Sequence, residues 1–431
     1  MIKPDLMELE SSGVDYCLLR NYEFLTGGDI GDDVDVLIPK DQIEKADSIF
    51  RSQGYLQASG GSTRHRFYVR YDSKYDTLVV LDVAIGGTGY NGLPLLDTDR
   101  VLKNRQRLEG VWIPSDEDKF IQLLFHSILN KGRYKKKYRR QLNTARNNVD
   151  NDEVIDHARE LFGGLGERVA NMALAGDLDD VLGKKWQLVA AGLRKRPRYL
   201  PTLMWNLALY WNLIHPLKKV NRRYNPFSST PMIALLGPDG SGKTTLATKL
   251  NQFFEEHGYV CDTHRLGVYN EDTIVMRSLK KVHHLLTGWD RDEMEDNRES
   301  GTMELPSRNG KIKTILHAVD MWIRFLKARS SGNDLIIGDR CLHDLFIYDD
   351  PSTARKITRP IERGPVAVYV LSASSETIAE RSEFTQESVA EMLNRLEHVD
   401  APRISVETSP EESTDEILEN VFSNPHLTKS F

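Results

Sequence analysis

Residues 232–246, MIALLGPDGSGKTTL, set a complete phosphate-binding loop directly behind a short, fully apolar run. Gly237, Gly242, Lys243 and Thr244 fit G-x-x-x-x-G-K-[ST] without a mismatch, in the strand-loop-helix context that the motif requires. Gly237, Gly240 and Gly242 lack Cβ, so successive backbone N–H groups can turn inward around phosphate oxygens. Asp239 and Ser241 lie within the loop, and Thr245 follows the Mg²⁺-ligand position at Thr244. Lys243 is placed to reach the β- and γ-phosphates, and the N-terminus of the following helix adds the positive end of its dipole. ATP and Mg²⁺ are therefore the expected cofactors. The plain alternative, a glycine-rich turn that binds nothing, is disfavoured by the intact signature and its flanks.

This loop opens the last of three blocks. A chain of 431 residues is long for one ordinary domain, and 40% hydrophobic with 28% charged residues is a globular composition. Residues 1–115 alternate short apolar runs with turns, and 16–19, 34–38, 67–70 and 78–85 read as strands, with a helix at 40–53 ending before Gly54. From Ser115, which with Asp118 resembles a capping box, helical periodicity takes over through a block spanning 116–225. Residues 226–431 return to alternation: 232–236, 335–337, 366–371 and 404–407 are apolar runs of strand length, separated by helices at 243–257, 311–328, 375–383 and 387–397. The expected class is α/β, with a mixed N-terminal sheet, a helical middle block and a C-terminal parallel sheet.

Charge is distributed unevenly around a net −6. No acidic residue occurs between Val181 and Pro238, whereas Lys184, Lys185, Arg194, Lys195, Arg196, Arg198, Lys218, Lys219, Arg222 and Arg223 all fall there. A second basic cluster includes Lys131, Arg133, Lys135, Lys136, Lys137, Arg139, Arg140 and Arg146, and acids concentrate at 290–304. Solvated helix faces account for many such runs; an anionic polymer or a membrane surface is the alternative partner. Residues 202–214 (TLMWNLALYWNLI) are too short and too interrupted by Asn206 and Asn212 to span a bilayer, leaving a packing helix or an interfacial one. Residues 222–230 read as a linker, and 290–299 as a loop rather than a calcium-binding hand. Cys17, Cys261 and Cys341 are scattered and odd in number, and the polar start MIKPDLMELE lacks a secretory core; a cytoplasmic setting is expected.

Two further constellations carry chemistry. DLIIGDRCLHD at 334–344 is an apolar strand ending in Asp339 and Arg340, which should deliver both side chains to the carboxyl edge of the sheet beside Lys243. There Asp339 can hold Mg²⁺ through water, and the planar fork of Arg340 can grip an acceptor phosphate; a surface Asp-Arg pair is the bland reading. In the N-terminal block, Asp33 and Asp35 project to the same side of one strand, and LVVLDVAI brings Asp82 on another. Three such carboxylates could surround two Mg²⁺ ions for nucleotidyl transfer, although aspartates are also common at strand edges and turns.

Residues 231–422 resemble the thymidylate kinase family of nucleoside monophosphate kinases, through GPDGSGKTT at 237–245, Asp339-Arg340 and the closing ISVET segment. Kinase-like proteins of that family carry DR-x-x-x-D and R-x-E-x-T, here Asp339-Arg340-Cys341-Leu342-His343-Asp344 and Arg381-Ser382-Glu383-Phe384-Thr385. The resemblance implies that Arg381 acts on the transferred phosphoryl group and that Asp239 contacts the acceptor's sugar hydroxyl. Family members usually have Asp-Arg on the helix before the DR strand and an aromatic after it. This chain has Asp320-Met321, with Arg324 a turn later, and Cys341, so the acceptor side departs from the pattern.

Residues 13–110 resemble the nucleotidyltransferase superfamily through Asp33, Asp35 and Asp82. Where that family usually has Gly-Ser for the triphosphate, this chain has Arg20-Asn21, so Arg20 becomes the candidate phosphate contact, with Gly27 and Gly28 nearby. The expected function is ATP-dependent phosphoryl transfer to a small acceptor such as a nucleoside monophosphate, fused to a Mg²⁺-dependent nucleotidyltransferase-like module. Alternatives are a kinase of a sugar or lipid-linked carbohydrate, and an ATP-sensing switch with a degenerate N-terminal module. Nucleotides or sugar phosphates are the expected small-molecule partners, and a homodimer is the candidate assembly.

Overall fold

The computed structural model describes residues 2–28, 33–62, 64–210, 224–227, 230–267, 311–348, 351–362 and 365–428. The acidic segment 290–304, the end of the apolar run at 211–214 and the basic residues at 218–223 lie outside the described residues. The fold is mixed α/β and contains parallel-stranded sheet. Two compact units are formed, one by Met1–Arg70 with Val79–Tyr224, the other by Tyr71–Leu78 with Asn225–Phe431.

A five-stranded sheet centres the first unit: β1 Cys17–Arg20, β2 Val34–Ile38, β3 Leu56–Ser62, β4 His65–Asp72 and β5 Thr77–Ile85, in the order β1-β2-β5-β4-β3. The β1–β2 pair is antiparallel and the β2–β5 pair parallel. Side-chain alternation divides these strands between two cores. Val34, Val36, Ile38, Leu81, Val83 and Ile85 pack with the helices Lys3–Ser11 and Ile43–Ser52 through Leu6, Leu9, Ala46 and Phe50. Cys17, Leu19, Leu37 and Ala84 pack on the opposite side with residues of the helices Asp116–His126 and Asn151–Ala175, so the helical block shares a core with the sheet. Ser115 caps the first of these helices, its Oγ accepting from the Asp118 N–H at 3.2 Å, as S-x-x-D suggests. Two small ribbons, β6 Thr88–Tyr90 with β7 Leu93–Leu96 and β8 Gln106–Leu108 with β9 Val111–Ile113, complete the strands of this unit.

In the second unit β10 Met232–Leu236, β11 Cys261–Arg265, β12 Leu335–Asp339, β13 Val366–Ser372 and β14 Arg403–Ser405 form a sheet ordered β11-β12-β10-β13-β14. Every pairing in it is parallel. All residues of β10 and β12 are buried, which is why both read as unbroken apolar runs rather than alternating ones. β10 lies between β12 and β13, so the chain leaves the carboxyl end of a central strand at the point where the sheet order turns, the place where α/β sheets accept ligands.

Candidate active site

The glycine-rich G-x-x-x-x-G-K-[ST] loop occupies the turn from β10 into the helix Lys243–Glu256. Gly240 and Gly242 have φ of +87° and +81°, in the left-handed region that disfavours a Cβ. A Cβ on Gly240 would also stand 2.8 Å from the Ile378 carbonyl oxygen and 3.1 Å from that of Arg381. The backbone after the helix Ser375–Glu380 therefore lies against the loop, with the Arg381 side chain exposed.

Lys243 is buried and donates from Nζ to the Pro238 carbonyl at 2.7 Å, with Asp239 Oδ1 at 3.6 Å. Burial, reinforced by the nearby Arg340 guanidinium, lowers its pKa from the ordinary lysine value. Ser241 is fully buried and its Oγ has no hydrogen-bond partner among the described residues. An orphaned hydroxyl inside an amide-lined loop is the kind of group that an incoming phosphate oxygen satisfies. Thr244 and Thr245 are exposed at the first turn of the helix.

The strand β12 brings in the second half of the site. Leu235 and Asp339 are register partners, and the Arg340 N–H donates to the Leu235 carbonyl at 2.9 Å. Asp339 thereby meets Thr244, whose Oγ1 donates to its Oδ2 at 3.0 Å; Arg265 Nε, from the end of β11, stands 3.9 Å from the same oxygen. Thr244 and Asp339 supply hard oxygen donors of the sort Mg²⁺ prefers, so the residues fit that ion. Arg340 adopts φ +73° and is held from both sides. Its Nη2 bonds Asp239 of the loop, and its Nη1 donates to both oxygens of Asp344 at 3.1 Å. Burial alone would raise the Asp239 carboxyl, but Arg340 and Lys243 hold it below the ordinary range. Gly267 leaves room for this arginine: a Cβ there would fall 2.3 Å from Arg340 Cδ.

At the two positions that depart from the resemblance, Met321 and Cys341 are both buried in the apolar core under β10 and β12. Asp320 and Arg324 pair with each other at 2.7 Å.

In the first unit, Asp35 and Asp82 are register partners across β2 and β5, and share the sheet side that carries Leu37 and Ala84. The β2–β5 register brings these two carboxylates together, yet each faces a protein donor. Arg20 Nη2 pairs with Asp35 Oδ1, His65 Nδ1 lies 2.8 Å from Asp82 Oδ1, and Tyr224 OH donates to Asp33 Oδ2 at 2.9 Å. Asn21, at φ +59°, bridges Asp33 Oδ1 at 3.2 Å and Asp35 Oδ2 at 3.3 Å. Arg20 also reaches His126 Nε2 at 3.0 Å, and Lys137 Nζ donates to Asn21 and Glu23. Burial raises the Asp35 carboxyl to about 6 despite the opposing pull of Arg20. Burial works against the charge on Arg20, but Asp35 lifts its pKa above the usual value.

Among the described residues no group of three or more His, Cys, Asp or Glu is arranged to hold a metal ion. Arg20, Asn21, His65 and Tyr224 engage carboxylate oxygens of Asp33, Asp35 and Asp82 that the expected pair of Mg²⁺ ions would need, and would have to yield them to the ions. Nothing in the local sequence pattern of Arg265, Gly267, His65, His126 or Tyr224 marks them as site residues, and Lys137 is visible there only as part of a basic run. Asp344 was visible only as the last residue of DR-x-x-x-D.

No protein-family model matches the chain. The ATP-dependent lipid A-core flippase of Paraburkholderia xenovorans (strain LB400) is 30% identical over 125 residues, 29% of this chain. The chain spans only 20% of that relative's length. Among solved structures, a thymidylate kinase from Candida albicans is similar with a TM-score of 0.31 and 16% identity, over 46% of this chain and 93% of that one.

Proposed function

We propose that the C-terminal unit is a P-loop phosphotransferase that moves the γ-phosphoryl group of ATP to a nucleoside monophosphate. The observation that carries this reading is the meeting of Arg340 with the phosphate-binding loop. A planar cation, oriented by Asp239 and the fully buried Asp344, stands beside Lys243 and the Thr244–Asp339 pair. The bidentate fork of an arginine at that place suits the phosphate of a phosphorylated acceptor.

The roles follow from the positions. Loop amides and Lys243, released from the Pro238 carbonyl, bind the β- and γ-phosphates and stabilise the negative charge in transfer. The Ser241 hydroxyl gains a partner as the loop fills. Arg340 exchanges part of its pairing with Asp239 for the acceptor phosphate, and Asp239 is freed toward the acceptor's sugar. Arg381, exposed beside Gly240, reaches the transferred group. Thr244 and Asp339 would hold Mg²⁺, which neutralises charge on the β- and γ-phosphates when bound. The acceptor phosphate oxygen bonds the γ-phosphorus as the bond to the β–γ bridging oxygen breaks, giving ADP and a nucleoside diphosphate.

For the N-terminal unit, the pairing of Asp35 with Arg20 and of Asp82 with His65 favours a degenerate nucleotidyltransferase module that binds a ligand without transferring a nucleotide.

The acceptor is tested by incubating the full chain with γ-labelled ATP and dTMP, dUMP, CMP or a sugar. Label should reach at least one nucleoside monophosphate and be lost in Lys243→Ala; label on the sugar alone would replace this reading with a carbohydrate kinase. Label transfer from α-labelled nucleoside triphosphates, abolished by Asp33→Ala with Asp35→Ala, would overturn the reading of the N-terminal unit.

A further inference from the structure

The helix Leu200–Tyr210 has an inner and an outer side. Leu203 is buried in the core of the first unit, whereas Leu200, Met204 and Trp205 are 47%, 58% and 59% exposed. At a helical step of about 100° per residue Met204 and Trp205 lie about 100° and 160° around the helix from Leu203, with Leu200 at about 60° flanking them on the other side of Met204. A single exposed apolar residue needs no explanation, but three large ones at the start of one helix form a face. Trp186, in the neighbouring helix Lys185–Lys195, is 57% exposed as well.

The surroundings of this face select its occupant. Arg194 and Arg198 are exposed just before the helix, and the sequence has no acidic residue from Leu182 to Pro238. Arg194 also lines a cavity of about 620 Å³ with Arg168, Lys195, Glu167 and the backbone turn at Gly163 and Gly164, and Glu167 is paired with Arg159. Gly163, which lines this recess, has non-helical backbone angles inside the helix Asn151–Ala175. A second copy of the chain would bring its own exposed Arg194 and Arg198 against the same face. A surface that is apolar where side chains would enter and anionic around them complements it. Among the described residues no helix is long and apolar enough to cross a membrane.

We propose that the face formed by Leu200, Met204 and Trp205 docks on an anionic lipid surface, with the helix lying in the interface. Apolar side chains enter the acyl boundary, and Arg194 and Arg198 pair with headgroup phosphates.

The test is sedimentation of the full chain with vesicles of phosphatidylcholine alone or mixed with phosphatidylglycerol. Binding to the mixed vesicles, weakened by salt, and little binding to the neutral ones is expected. Met204→Asp with Trp205→Ser should weaken vesicle affinity by about tenfold or more, while the melting temperature stays unchanged because both side chains are exposed. Arg194→Gln and Arg198→Gln should each cost about fivefold. Absence of binding to the mixed vesicles, or equal binding to both kinds, overturns the proposal. So does light scattering that shows a dimer broken by Met204→Asp with no change in vesicle affinity.

Discussion

Arg340 is gripped by two carboxylates of opposite character, and separating them is informative. Asp344 has no exposed side-chain surface and contacts the guanidinium with both oxygens; Asp239 is 57% exposed. Asp344→Asn preserves shape and removes the charge. Deleting one partner of a buried ion pair typically costs about 3–5 kcal/mol, and the surviving Asp239 contact puts this case at about 3 kcal/mol. For a unit of this size that corresponds to a melting temperature about 6–12 °C lower. Asp239→Asn breaks a solvent-screened pair and should cost less than about 1 kcal/mol. Its effect belongs to function: acceptor KM should rise about tenfold, a loss of about 1.4 kcal/mol of binding. Thermal unfolding of the full chain at neutral pH, followed by circular dichroism with steady-state kinetics on the same samples, measures both. Asp344→Asn melting with the wild type, or Asp239→Asn lowering the melting temperature as much as Asp344→Asn, would refute the assignment of Asp344 as the anchor of Arg340.

Other consequences are independent of that pair. Gly240→Ala forces a Cβ into left-handed backbone and against the Ile378 and Arg381 carbonyls; a loss of about 2–4 kcal/mol in urea unfolding is expected, together with lost ATP affinity. ATP at a hundredfold excess over its Kd should stabilise the wild type by about 2.7 kcal/mol and leave the melting curve of Lys243→Ala unmoved. Asp35, raised to about 6 by burial, titrates above its unfolded value of 3.8. Its contribution to stability is therefore full below the unfolded pKa and lost as pH rises through about 6. The wild type's advantage over Asp35→Asn should shrink by up to about 3 kcal/mol across that window in denaturant titrations; an unchanged difference would contradict a raised pKa.

Much of this architecture was legible because burial writes itself into sequence. β10 and β12 are continuous apolar runs, and the glycines between β10 and its helix mark left-handed backbone. Alternation set Asp33 and Asp35 on one side of a strand and an apolar run carried Asp82 on another; in the sheet Asp33 lies just before β2, and Asp35 and Asp82 are register partners. β11 was missed because Cys-Asp-Thr-His-Arg is a polar edge strand with mostly exposed side chains, carrying neither alternation nor an apolar run. The partners that occupy the N-terminal carboxylates were equally hidden. His65 is 17 residues from Asp82, and His126 is 106 residues from Arg20; such pairings are made by tertiary packing and leave no local periodicity. Hence an acidic triad that resembled a metal site in sequence is met in the structure by an arginine, an amide, an imidazole and a phenol.

Transfer to an acceptor distinguishes the proposed phosphotransferase from a hydrolase or an ATP sensor. Phosphorus NMR of the full chain with ATP, Mg²⁺ and dTMP, repeated with dUMP and CMP, tests it most directly. ADP and a nucleoside diphosphate in equal amounts are expected with at least one acceptor, and neither in Lys243→Ala. ADP and inorganic phosphate without a nucleoside diphosphate, or no turnover with any of the three, would contradict it.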